Sequence, residues 1–160
     1  MPDSATPLLW PELGEVYRAL MPWGWAGLRL VVGLALVPHG LRLFYGFFKG
    51  SGSKLSNFSQ LRGMLHAQGY RPAFLCGALI WAAEFIAGPL LVLGLFTRPA
   101  ALVCCLFLLV SAYEHARMDG YFWNRLGLEY PLVWAAGALP FIFGGGGLLS
   151  LDHALLGWQF

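Results

Sequence analysis

Four apolar runs, each close to the length of a bilayer crossing, limit what this chain can fold into. They cover roughly residues 23–47, 72–96, 99–116 and 130–151, and a spanning helix needs about 20 residues. Only 11% of the 160 residues are charged, against 58% hydrophobic, where a soluble domain is nearer a quarter charged. The net charge of +2 carries no nucleic-acid footprint. Aromatic residues, including seven Trp, gather near the ends of the runs, where an interfacial belt places them. The expected fold class is therefore all-α: an integral membrane four-helix bundle with short interfacial amphipathic helices, passing through the lipid bilayer several times.

The punctuation between runs refines this expectation. Thr97-Arg98-Pro99 is all that separates the second run from the third, so the two form a tight antiparallel hairpin, with Pro99 in the first turn, where a missing N–H costs nothing. Pro38, Pro89 and Pro140 lie inside runs and predict kinks. Two segments are amphipathic rather than spanning. In residues 11–20, Leu13, Val16, Tyr17 and Leu20 share a helical stripe, and in residues 55–66 Leu55, Phe58, Leu61 and Leu65 do the same, with Gly69 as a stop. Each is expected to lie flat at the interface. Gly50–Ser53 reads as a flexible link into the second of them. The chain divides into an N-terminal interfacial extension, residues 1–21, and a four-helix membrane domain, residues 22–160. Asp3, Glu12 and Glu15 near the start, with no basic region before an apolar core, do not fit a secretory signal. Lys49, Lys54, Arg62, Arg71, Arg117 and Arg125 lie in the first and third connections, against Arg18 and Arg98 opposite. The positive-inside rule thus puts those connections in the cytoplasm.

Charges inside apolar runs mark the interior, because a carboxylate or guanidinium at the bilayer centre costs about 2.5–3.5 kcal/mol on insertion scales. Glu84 interrupts the second run and Arg29 the first. At 100° per residue, Arg29 shares a face with Gly33 and Gly40, and Glu84 shares one with Gly77 and Gly88. Small neighbours permit close helix approach, so a buried Arg29–Glu84 ion pair is the expected contact. His39 and His115 fall at a common depth near the opposite side, with Glu114 beside His115 and Glu129 opening the fourth run. These four could pass protons or bind a metal. None of them has the i, i+3 or i, i+4 spacing of a helical metal motif, so no metal is expected. Cys76, Cys104 and Cys105 lack Cys-x-x-Cys spacing and read as helix-packing groups, the vicinal pair Cys104–Cys105 leaving a redox disulfide open. No catalytic residue, haem site or nucleotide loop is legible.

Taken in order, these pieces resemble the DoxX family of small membrane proteins. The resemblance rests on Arg29 with Gly33, His39-Gly40, Glu84 through Gly88, and Leu93-Gly94-Leu95-Phe96-Thr97-Arg98-Pro99-Ala100. It continues through His115, Gly120–Trp123, Glu129-Tyr130-Pro131 and Ser150-Leu151-Asp152. One departure stands out: the lysine usual three residues after the glycine of the His-Gly step is Leu43 here, and Arg42 points about 100° away. The resemblance implies a four-helix bundle in a bacterial or archaeal cell membrane. It also implies a subunit associated with a quinone-linked redox complex, working with other membrane or redox subunits. The alternative is an accessory or scaffold subunit with no chemistry of its own. With no ligand set for a covalently bound cofactor, a quinone is the expected redox partner, and catalysis by the isolated chain is not expected.

Overall fold

The computed structural model describes residues 10–45, 47–48, 55, 57–118 and 120–157. The first nine residues of the N-terminal extension and the Gly50–Ser53 link lie outside the described residues, as do Lys49, Lys54 and Ser56. All regular structure among the described residues is helical. A short 3-10 turn at Pro11–Leu13 leads into α1 (Gly14–Tyr45). Then follow α2 (Phe58–Ala67), α3 (Ala73–Leu93), α4 (Thr97–Met118) and α5 (Glu129–Gly144). A final turn at Asp152–Leu156 closes the described chain.

Three helices are long and apolar enough to cross a membrane: Pro11–Leu43, Ala73–Leu93 and Thr97–Met118. The expected fourth span ends early. Instead of running to residue 151, the helix stops at Gly144, and its 16 residues reach about 24 Å at 1.5 Å per residue, short of a hydrocarbon core of about 30 Å. The Gly144–Gly147 run ends it, because Gly145 and Gly147 take positive φ of 66° and 75°, which favour glycine. The first helix differs from expectation in the opposite sense. The amphipathic segment at residues 11–20 and the first span form one continuous helix through Pro22, so the expected boundary at residue 21 falls inside α1. At 33 residues this helix outruns the hydrocarbon, and its first turns, with Glu12, Glu15 and Arg18 exposed, lie beyond it.

The surface helix forms as expected. Asn57 caps α2, its side-chain oxygen accepting from Gln60 N at 2.9 Å, and Gly69 follows its end with φ 92°. Leu61 and Leu65 bury against Leu43 and Ala73, fixing α2 to the ends of α1 and α3.

Packing is inverted relative to a soluble domain. The most buried residues are mainly small: Ala83, Ala87, Ala100, Ala101, Cys104, Ala135 and Ala138, with Leu91 and Phe141 filling the remaining core. Large side chains such as Leu79, Val133 and Phe143 point outward. Helices in lipid associate through close backbone approach rather than through burial of large apolar groups. The α1–α3 contact shows how: an added Cβ on Gly33 would stand 2.7 Å from Gly88 O, and one on Gly40 would stand 3.0 Å from the Glu84 Cβ. Cys104 and Cys105 both belong to this core as free thiols, and Cys105 contacts the Ala135 carbonyl at 3.6 Å.

Candidate functional site

Arg29 and Glu84 are both buried, yet they do not pair. Antiparallel register explains why. Gly33 faces Gly88 and Val92, and Gly40 faces Glu84 and Phe85. Arg29 lies eleven residues before Gly40, so the two charges sit about 16 Å apart along the helix axes, beyond any arginine's reach. The bundle holds two separate polar centres.

The first lies at the α3–α4 hairpin. Arg29 donates from Nη1 to the Gly146 carbonyl at 3.2 Å and from Nη2 to the Leu149 carbonyl at 2.7 Å. The glycines let this segment fold beneath the guanidinium; a Cβ on Gly94 would lie 1.7 Å from Arg29 Nη1. Asp152, wholly buried, supplies the countercharge that Arg29 feels. Its carboxylate also caps α4, accepting from Phe96 N at 2.7 Å, Thr97 N at 2.9 Å and Thr97 Oγ1 at 2.6 Å. An acid at a helix N-terminus satisfies orphan donors and meets the positive end of the dipole. Asp152 N in turn donates to Gly94 O at 2.8 Å. Trp25, one turn before Arg29, donates from Nε1 to Gly145 O at 2.9 Å. The result is a clasp binding the C-terminal segment to the hairpin, in which Arg29 Nε is buried without a hydrogen-bond partner.

The second centre is less satisfied. Glu84 lies on a π-helical turn, Ala83–Ala87, closed by Gly88 N donating to Ala83 O. Pro89 follows at once and brings no N–H, so the expected kink at that proline takes the form of a widened turn. Such turns recur at functional positions. Glu84 is 4% exposed, and its Oε2 has no hydrogen-bond partner; Arg42 Nε is likewise buried and unpartnered. The cation acting on Glu84 is Arg42, the residue beside the position where the family's lysine is absent. Leu43 instead packs under α2. His39, one turn before Arg42, lies in the field of both Arg42 and His115, and its ring stands 6.3 Å from that of Tyr130. Tyr130 in turn meets Trp134 edge-on at 5.8 Å.

Of the four residues expected to form a pocket, His39 lies within the field of His115, and the two acids are engaged elsewhere. Glu114 accepts from Tyr70 Oη at 2.5 Å and from Arg117 at 3.3 Å. Glu129 accepts from Trp123 N at 3.1 Å, closing the loop before α5. His115 Nδ1 contacts the Leu126 carbonyl. Outside the membrane, the bond to Glu114 holds the Tyr70 phenol above its ordinary pKa, and desolvation adds to it. Among the described residues no group of three His, Cys, Asp or Glu side chains converges as a metal site would. Sequence reasoning missed the Asp152 and Thr97 roles, although both sit in segments it singled out, and it missed Arg42 as the cation whose field reaches Glu84. The one-turn spacing of His39 and Arg42 was the available signal.

Lipid-length apolar helices, small residues inside and charges shielded from the periphery define an integral membrane protein of the all-helical, multi-pass class. Its family follows from comparison with known proteins. The chain belongs to the DoxX family, whose model matches residues 24–116. That match takes in Arg29, Arg42, Glu84 and His115 and stops before α5 and Asp152. No curated protein and no solved structure matches the chain.

Proposed function

We propose that this chain is a membrane subunit of a quinone-linked redox assembly, and that Glu84, Arg42 and His39 form its headgroup and proton site. The observation carrying this reading is that Glu84 Oε2 and Arg42 Nε, whose charges act on one another, are both buried without a hydrogen-bond partner; Arg29 Nε is also unpartnered, but that guanidinium is held through Nη1 and Nη2 by two carbonyls. Buried polar groups are normally satisfied, and an unsatisfied acceptor and donor together suit a ligand that both accepts and donates hydrogen bonds. A quinone headgroup is such a ligand, with carbonyl oxygens that become hydroxyls. When bound, it supplies two-electron acceptance coupled to uptake of two protons, and a partner subunit supplies the electrons.

The chain's own residues have distinct parts in this scheme. Arg42 donates through Nε toward a carbonyl oxygen and holds negative charge as it develops. Glu84 exchanges a proton at Oε2, and His39 and His115 pass protons toward the connections beyond α1 and α4. An accessory role for the chain draws on the other centre, since Arg29, Thr97 and Asp152 form a clasp with a structural task alone.

The test is a titration of the purified chain with a short-chain quinone, read by quenching of tryptophan fluorescence. Glu84→Gln and Arg42→Gln are each expected to weaken binding about tenfold, equivalent to about 1.4 kcal/mol, with unchanged melting behaviour. Equal affinity in parent and variants would refute the site and leave the accessory role.

A further inference from the structure

A second cluster, unrelated to the Glu84 centre, lies where the surface helix meets the start of α3. Arg62 and His66 stand at i and i+4 on a face of α2 about 100° round from the buried Leu61 and Leu65. Arg71 reaches the same place from the connection, its Nη1 3.1 Å from His66 Nε2. Together with Pro72, Ala73 and Phe74 they line an open groove of about 820 Å³. That is within the range of volumes that hold small ligands, about 300–1,000 Å³.

Three features of the groove point to an anion. Two guanidinium groups and an imidazole line it, and among the described residues no carboxylate does. Glu114, which accepts from Tyr70 in the connection beside the groove, is already engaged by Tyr70 and Arg117. At the groove's edge α3 begins with an N-cap, Pro72, that makes no side-chain bond to the first turn, so N–H groups and the positive end of the dipole face the same space. The groove is also amphipathic. Phe74 is 57% exposed at the first turn of a helix apolar enough to cross the bilayer, so an apolar wall continuous with that helix adjoins the basic groups.

We infer that this groove binds a phosphate-bearing anion at the membrane boundary, held by Arg62 and Arg71 with His66 between them. Arginine's planar fork matches phosphate oxygens in pairs, and a basic groove beside a spanning helix fits an anionic lipid headgroup. The phosphate chemistry is the same for a phosphatidylglycerol headgroup and for free phosphate, and the experiment separates these sources.

The full chain is purified in a neutral detergent, and lipid adducts are counted by native mass spectrometry after mixing with phosphatidylglycerol or phosphatidylcholine. A parallel sample receives inorganic phosphate, and its thermal midpoint is followed. Phosphatidylglycerol adducts at least fivefold above phosphatidylcholine, lost in Arg62→Gln/Arg71→Gln but kept in Arg62→Lys/Arg71→Lys, would establish a lipid-headgroup site. Thermal protection by inorganic phosphate, lost in the same glutamine variant, would establish a site for the soluble anion. The control Arg18→Gln/Arg125→Gln removes two positive charges elsewhere and should leave either signal intact. Adducts that do not distinguish the two lipids, or that survive the glutamine variant, together with no protection by phosphate, would overturn the inference. A monodisperse elution profile for the glutamine variant establishes that it is folded before either readout is taken.

Discussion

At the scale of single residues, the two intramembrane charges show how differently a buried ion can be accommodated. Arg29 finds two backbone carbonyls and the field of Asp152, which offset most of the cost of taking it out of water, while its Nε stays unpartnered. Glu84 retains a bare oxygen and a cation that leaves its own Nε unpaired. Asp152→Ala removes three accepted hydrogen bonds and leaves Arg29 without its countercharge. It is expected to lower unfolding free energy by about 3–5 kcal/mol, as loss of one partner from a buried charge set does. Denaturation in mixed detergent micelles measures this, and parental stability in the variant would contradict the clasp. Tyr70 supplies a pH test outside the membrane. Its phenol is raised in the folded state by the bond to Glu114, so that bond stabilises the fold below the unfolded tyrosine pKa of about 10. The contribution is lost as pH rises through the higher folded value. Absorbance titration should show one phenol ionising later than in the Tyr70→Phe variant, and identical titration curves would remove the interaction.

At the scale of elements, periodicity and composition made α2, α3 and α4 legible, because each has a clear apolar pattern and a chemical stop: Asn57 and Gly69, Gly94, and Thr97-Arg98-Pro99. Faces were legible too. Gly33, Gly40 and Gly88 do line the α1–α3 contact, whereas Gly77 turns to the ring of Phe58 on α2. Register was not legible. Face arithmetic fixes the angle around a helix but not how far one helix slides along another, and a shift of a few residues separates pairing from isolation. The helix ends of α1 and α5 were misjudged for a related reason, since hydropathy reports where lipid can be and not where a backbone turns. A test belongs at the α1–α3 seam. Gly33→Ala would bring a methyl to 2.6 Å from Val92 Cγ2 and 2.7 Å from the Gly88 carbonyl, and the backbone cannot yield cheaply. Overpacking of this kind typically costs about 1–3 kcal/mol. A variant as stable as the parent in the same micellar denaturation would mean a wider helix separation.

For the molecule as a whole, the two polar centres divide labour along the bundle axis. The hairpin end is closed by the clasp, which joins the last described turn to the α3–α4 loop. The other end has a π turn, an incompletely satisfied acid–arginine pair, two histidines and a surface helix with a basic groove. The separation of these centres is the central claim, and a double-mutant cycle on Arg29→Met and Glu84→Gln tests it most directly. The single variants and the double variant are unfolded in mixed micelles and their free energies compared. Sites more than about 10 Å apart with no shared partner add to within about 0.5 kcal/mol. The expected result is a large loss for Arg29→Met, little change for Glu84→Gln, and a coupling energy inside that limit. A coupling above about 1 kcal/mol, with both single variants destabilised, would contradict the account and restore a direct ion pair between the two charges.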